Sequence, residues 1–531
     1  MRKQRLMAAA LAGVLFLSGC QSAAGGTSPS TNSSETQSQD SNSQGTDAAV
    51  TGEGYQIPAD WDISEPVNLK VYCIGDEGGI YADDMLDNMN KILKERINAT
   101  IEPVMVSWGE YQQKLPLVWT GGDNYDLTYV ADWTGYTTES TKGPFYKMDE
   151  LLPVYAPKTY QELLEKDIWP YCEVEGNIYM VPGITDECQS HFYVYREDLR
   201  KKYDCPEIVD LATFETYLDA IKTNEPEMFP ILQEGSQNML WWMFLYENDW
   251  GRPVDGPGGV LTYKMTEGKE VFDVTQTKEY QAFTEKMREW YEKGYWSQSV
   301  MAETTAIRDQ FYAGKTAVCM DNYHGANEMY IRNSVDNPDW ELGLFEIEGD
   351  TKVEGMSPTG NGMAISANSK NPERAMMFLE LCHQDEAVYN SILYGIDGVT
   401  YIDNGDMTTS TPSDKDPTSL VGRNIGMGIN DYKFMKGTRE DWPYLKEVKE
   451  KLKAKTVIPA LAGFVMNQDS ISAELAALNS TCDEYKKPPE KGVVDPAAGI
   501  PELQQKLKGA GMDKVKDEVN KQLDAYWAEK K

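Results

Sequence analysis

Histidine is scarce in this chain, and the sequence signatures of catalysis are missing. Only His191, His324 and His383 occur in 531 residues, far apart and without metal-ligand spacing, which argues against a histidine-held metal centre. No GxSxG, HExxH, phosphate-binding loop or GxGxxG is present, and Asp403-Asn404-Gly405-Asp406 has the wrong ligand spacing for a calcium loop and reads as a turn. No cofactor is therefore implied. The eight cysteines include no CxxC pair. Basic residues are also few, 50 Lys and Arg against 85 Asp and Glu, a net charge of -35. That balance weighs against nucleic acid and against an anionic membrane surface as partners. Charges on a large surface are screened beyond a Debye length of about 8 Å, so the acidic excess reads as solubility. After the first twenty residues no run is long and apolar enough to span a bilayer.

The N-terminus does carry a signal. Arg2, Lys3 and Arg5 precede an apolar run from Leu6 to Leu17, too short to span a membrane, and then Leu17-Ser18-Gly19-Cys20. Small residues directly before a cysteine resemble the lipobox of bacterial lipoproteins. Residues 1–19 are thus expected to be a signal peptide, with Cys20 carrying a lipid anchor on the outer face of the cell membrane. Two acyl chains hold where one binds only reversibly. Residues 20–54 are Ser, Thr, Gln, Asn, Gly and Ala with scattered acids, a composition that cannot bury a core and reads as a flexible tether. If Cys20 is lipidated, seven cysteines remain, an odd number, and most read as buried free thiols.

From about Tyr55 onward the chain is too long for one core, so two domains are expected. The run from Leu69 to Ile74 reads as a strand, Asp83 to Asn98 as a helix with Met85, Met89 and Leu93 on one face, and Thr100 to Val106 as a second strand. This order points to an α/β domain with a largely parallel sheet. Leu127 to Val130 is a further strand. The middle is more helical, with helices over Thr213 to Lys222 and Lys278 to Lys293, a strand over Thr316 to Met320, and a helix opened by Asn371 as cap and Pro372 at its first position. Pro501 to Lys531 is helical by pattern and mostly charged.

Six segments, in order, carry a resemblance. They are Trp108-Gly109-Glu110-Tyr111 with Tyr125-Asp126-Leu127; Gly176-Asn177-Ile178-Tyr179-Met180-Val181-Pro182; Tyr193 to Leu199; Phe311 to Val318; Gly362 to Ser366; and Asn371 to Ala375. Together they resemble extracellular solute-binding protein family 1, and Tyr394-Gly395-Ile396-Asp397-Gly398 resembles its large-lobed branch. The resemblance implies a two-lobed type II periplasmic-binding-protein fold of α/β lobes, with a hinge and a central ligand cleft. It divides the chain into a first lobe of residues 55–187 and 338–398 and a second of 188–337 and 399–531. It also implies a monomer that hands a neutral oligosaccharide to the permease of an ABC importer. A peptide-binding relative and a surface glycoside hydrolase stay open as alternatives, since two carboxylates suffice for the latter.

The same resemblance places ligand contacts where strands give way to loops at the cleft, as open α/β sheets generally do. Aromatic faces cover the apolar face of a pyranose, and acids and amides bond its hydroxyls. The expected ligand-binding residues are Asp132, Trp133 and Tyr136 after the Leu127 strand, and Asp321, Asn322, Tyr323 and His324 after the Thr316 strand. Asp76 and Glu77 in the Gly75–Gly79 loop, and Asn361, complete the set. Trp241-Trp242 lies in an apolar run and reads as core.

Overall fold

The computed structural model describes residues 55–184, 191–233, 240–254, 258–303, 305–346 and 351–529. The signal peptide, Cys20 and the linker lie outside the described residues, as does Cys188. Gly52–Lys531 forms one compact unit. No helix among the described residues is long and apolar enough to cross a membrane.

Within this unit the apolar residues collect into two cores. The first is built on strands β1 (Val67–Ile74), β2 (Ala99–Val106) and β3 (Leu127–Val130). β1 is flanked by β2 and β3, both parallel to it, in register from Val67 opposite Ala99 to Ile74 opposite Val106. The connection from β1 to β2 is helix α1 (Ala82–Ile97), whose Met85, Met89, Leu93 and Ile97 are buried at the spacing the sequence shows. Asn98 ends it in a left-handed conformation that asparagine tolerates better than most residues.

After β3 come β4 (Val181–Pro182), which belongs to the first sheet, then β5 (His191–Arg196), β6 (Val318–Asn322) and β7 (Leu342–Glu346), which form the second, and then β8 (Gly362–Ile365) returns to the first sheet. The first sheet has the order β2-β1-β3-β8-β4, with β8 antiparallel to both of its neighbours. The sheet is thus parallel at one side and antiparallel at the other, because β8 enters it from the opposite end after a long excursion. The second sheet, β6-β5-β7, is antiparallel throughout. Helix α2 (Lys278–Glu292), capped by the Thr277 hydroxyl, buries Tyr280, Phe283, Met287 and Trp290 in the second core.

The chain passes between the cores several times, and two passages differ from the division read from the sequence. Leu342–Glu346, expected in the first lobe, pairs with β5 of the second sheet, and Phe345 stacks on Tyr193 at 6.1 Å. Ile425 and Ile429, expected in the second lobe, are buried in the first core. A third difference is local. Helix α3 (Pro372–Gln384) begins where Pro372 predicts, but the Asn371 side chain donates to Asp126 Oδ1 at 3.2 Å and does not cap the helix. The C-terminal helical stretch is two helices, Pro496–Gly509 and α4 (Met512–Glu529), parted at Gly511 with its φ of +98°. Cys73, Cys172, Cys205, Cys382 and Cys482 are buried free thiols.

Candidate functional site

A cavity of about 170 Å³ lies where residues of the two cores meet. The first core contributes the turn after β3. The strand ends at Val130, the next residue, Ala131, donates its N–H to the Thr134 hydroxyl at 2.9 Å, and Gly135 at φ +86° turns the chain into a short helix. Asp132 donates its N–H to Thr359 O at 2.8 Å, and the Trp133 indole donates to Gly360 O at 2.9 Å. The loop ahead of β8 therefore holds the Asp132–Trp133 turn in place. Both residues, with Thr137, Ser357 and Thr359, line the cavity.

Trp133 belongs to a larger aromatic group. Its ring lies nearly parallel to Trp108 at 6.2 Å, edge-on to Tyr111 at 5.4 Å and tilted on Tyr129 at 5.7 Å. Trp108 is 49% exposed, a large apolar face left in solvent beside the cavity. Such faces suit the apolar side of a ring-shaped ligand with a polar rim.

The second core contributes charge. Gly251 precedes Arg252, and a Cβ at that glycine would lie 2.5 Å from the Tyr263 ring, so only glycine lets the backbone pass. Tyr263 O accepts from Gly251 N–H at 3.0 Å, and the Thr262 hydroxyl donates to Gly251 O at 2.6 Å. The backbone ahead of Arg252 is thereby tied to Thr262 and Tyr263. The Arg252 Nε donates to Glu354 Oε1 at 3.2 Å. Glu354 sits on a two-residue strand paired with Thr456–Val457, and it is 4% exposed. Glu354 lines the cavity, and its Oε2 is buried and makes no hydrogen bond among the described residues.

Asp132 faces the same guanidinium from the first core. Burial pushes the carboxyls of Asp132 and Glu354 above the usual carboxylate range, and the Arg252 charge opposes this. Burial likewise works against the charge on Arg252, and Glu354 and Asp132 outweigh it, keeping the guanidinium protonated. Two acids thus share one cation in a partly dry cavity. Such an arrangement accepts hydrogen bonds more readily than it donates them.

The third wall comes from the C-terminal part of the chain. Leu461, Phe464 and Met466 present apolar surface to the cavity, and Gln468 supplies an amide.

Of the residues expected from the sequence, Asp132 and Trp133 meet at this cavity. Tyr136 does not: it is fully buried in the first core, and its hydroxyl donates to Cys172 O at 2.6 Å. The turn at Gly135 points it inward, away from the cavity. Asn361 lies just behind the site, with its carboxamide oxygen taking the Tyr129 hydroxyl. Asp321, Asn322, Tyr323 and His324 lie outside the cavity lining. Asp321 accepts from Arg308 Nη2 at 2.9 Å, and Asn322 caps the helix over Tyr323–Asp336 through Gly325 N–H. Tyr323 has Lys449 over its ring at 5.4 Å and the exposed His324 against its edge. Asp76 is exposed, and Glu77 pairs with Arg423 at 3.1 Å, again outside the lining. Sequence reasoning missed Arg252, Tyr263, Glu354 and the Leu461–Gln468 segment. A Gly-Arg-Pro step in a polar loop was the one signal for Arg252, and Glu354 had none.

Two α/β cores joined by repeated crossings, with a polar and aromatic cavity where they meet, define a ligand-binding protein. The chain belongs to the bacterial extracellular solute-binding protein family, which matches residues 82–388, and it is a binding protein rather than an enzyme. A second family, described only as a domain of unknown function (DUF3502), matches residues 460–528. A carbohydrate ABC transporter substrate-binding protein of Streptococcus pneumoniae is 27% identical over 479 residues, 87% of this chain and 91% of that protein. Among solved structures, the N-glycan transport solute-binding protein of S. pneumoniae superposes with a TM-score of 0.72 at 23% identity, over 88% of this chain and all of that one. The alginate-binding protein AlgQ2 superposes with a TM-score of 0.64 at 18% identity, over 87% and 98%. At these identities the structural likeness establishes the two-lobed fold.

Proposed function

We propose that this chain is the substrate-binding lipoprotein of an ABC importer and captures a neutral oligosaccharide as a monomer outside the membrane. The observation that carries the reading is the cavity wall itself: the Trp133 ring beside Asp132, with Arg252 and Glu354 across from it. A pyranose offers one apolar face and a rim of hydroxyl donors, which match an aromatic surface in a cavity that also holds the carboxylates of Asp132 and Glu354. The names of the relatives support it. The S. pneumoniae relative is a carbohydrate transporter component, and the N-glycan transport protein has been solved with Man1GlcNAc and Man5GlcNAc. A cavity of about 170 Å³ is below the usual ~300–1,000 Å³ of small-molecule pockets, so it encloses one end of a longer glycan. The mechanism is a population shift. A ligand touching both cores binds the closed arrangement better and moves the equilibrium by that difference in affinity. The lipid on Cys20 and the tether behind it keep the binding unit at high effective concentration near the permease.

A thermal-shift screen of the purified chain against a glycan panel and a peptide panel tests the ligand class, because a ligand that binds only the folded state raises Tm. Shifts with neutral glycans are expected. Shifts with peptides and with no glycan would overturn the reading. The anchor is tested separately: metabolic incorporation of palmitate is expected in the parent chain and is lost in Cys20→Ser.

A further inference from the structure

The C-terminal region of unassigned function begins at the cavity and ends on the helix that braces it. Pro459 and Leu461 to Phe464 turn tightly, with Phe464 N–H donating to Leu461 O at 3.0 Å, and the turn reaches the cavity with Leu461, Phe464, Met466 and Gln468. Behind it runs α4. The Asn467 N–H donates to Gln522 Oε1 at 2.8 Å, and Gln522 Nε2 donates back to Asn467 O at 2.9 Å. The Tyr526 hydroxyl donates to Ala462 O at 3.3 Å, and its ring meets Phe464 edge-on at 5.4 Å. The indole of Trp527 donates to Gly268 O at 2.8 Å, while a Cβ at Gly268 would press within 2.8 Å of Ala460 and Leu461. The inner face of α4 is anchored in turn, with Val515, Val519 and Leu523 fully buried in the second core.

The other end of the same turn reaches the first lobe. Gly463 has φ +78°, and a side chain there would lie 3.3 Å from the Tyr171 ring. The segment is therefore clamped to a helix of one lobe and laid against a residue of the other, with the cavity between. Leu461, Phe464 and Met466 give the cavity apolar lining, where Asp132, Arg252 and Glu354 give it charge. A cavity lined by both apolar and acidic residues discriminates ligands by which parts of a ring carry hydroxyls.

We propose that residues 459–468 are the specificity-determining wall of the cavity, that α4 is its positioning element, and that this is the work of the 460–528 region. The proposal rests on the glycan reading for its ligand class. It assigns Phe464 to direct contact with the ligand and Gln522 to holding the wall from outside it.

The test uses the full chain purified in detergent, with hydrogen exchange in the free protein and calorimetric titration with Man1GlcNAc and Man5GlcNAc. Gln522→Ala removes both bonds to Asn467. Amides of 461–468 are expected to exchange about tenfold faster, the scale of two net hydrogen bonds. Phe464→Ala and Gln522→Ala are both expected to change the ratio of the two affinities severalfold and in the same direction. Trp133→Ala weakens both glycans by a similar factor. Unchanged exchange in Gln522→Ala overturns the role of α4. If the parent chain binds both glycans and Phe464→Ala leaves the ratio within twofold, the wall is overturned while the glycan reading stands. If the parent chain binds neither glycan but binds a peptide, the glycan reading fails and the specificity claim falls with it.

Discussion

Replacing Arg252 by methionine is the sharpest probe of the charge cluster. Methionine keeps most of the apolar stem and removes the cation that Asp132 and Glu354 share. Removing one partner of a buried ion pair costs about 3–5 kcal/mol, because it leaves an uncompensated charge. The Arg252 side chain is 25% exposed and Glu354 5%, so water offsets part of this, and about 3 kcal/mol is the expected loss at pH 7.5. An unfolding entropy of ~2.1 cal/mol/K per residue over Gly52–Lys531 amounts to about 1 kcal/mol per degree. The melting temperature should then fall by about 3 °C if both lobes unfold together, and by roughly twice that if the second unfolds alone. The loss depends on pH with a definite sign. Both carboxyls are raised by burial in the parent chain and rise further without Arg252. Acids raised in the folded state contribute stability below the ordinary carboxylate range and lose it as pH rises through their folded values. The variant should therefore approach the parent chain near pH 5 and fall away toward pH 8. Adding Glu354→Gln to Arg252→Met should recover part of the loss. Scanning calorimetry at pH 5 and pH 7.5 decides it. A difference below 1 °C at pH 7.5, or one equal at both pH values, refutes the shared-cation account.

Other perturbations test neighbouring parts of the argument. Trp133→Ala should weaken glycan binding at least tenfold by titration calorimetry, while Tyr323→Ala, outside the cavity lining, should stay within twofold; the reverse order would move the site to the α-helix start at Tyr323. Tyr136→Phe strips a hydroxyl from the buried Cys172 carbonyl and should cost about 1–3 kcal/mol of stability in denaturant titration with glycan affinity unchanged. Burial alone would raise Glu162, but hydrogen bonds from Lys166, Lys433 and Gln384 outweigh it and hold the carboxyl down at about 2. Its contribution is present above the ordinary glutamate range and lost as pH falls toward 2, so Glu162→Gln should flatten the stability-pH curve there. An unchanged acid limb would show that the three bonds do not act on Glu162 as described.

The elements nearest the first core were legible because their information is local. β3 spans Leu127–Val130 as its apolar run indicates, α1 buries the face its periodicity marks, and Pro372 opens α3. The family was legible for the same reason, since its short motifs sit at strand ends and turns. Composition by itself weighed against nucleic acid, and six spaced segments by themselves pointed to two lobes. Asp132 and Trp133 were visible as an acid and an aromatic ring directly after a strand.

The rest depended on contacts between residues far apart in sequence, which no periodicity records. β7 joins the second sheet, where Phe345 stacks on Tyr193 and packs tilted against Phe214, and nothing local to residues 342–346 says so. Tyr136 is four residues from Asp132, yet one left-handed glycine turns it into the core. The charge of the cavity is decided by Arg252 and Glu354, 102 residues apart, meeting a third group at Asp132. Their altered proton affinities come from burial, which exists only once both lobes are assembled. The sequence thus determined the kind of fold and one edge of the site, whereas folding decided which charges face each other and which end of the chain closes the cavity.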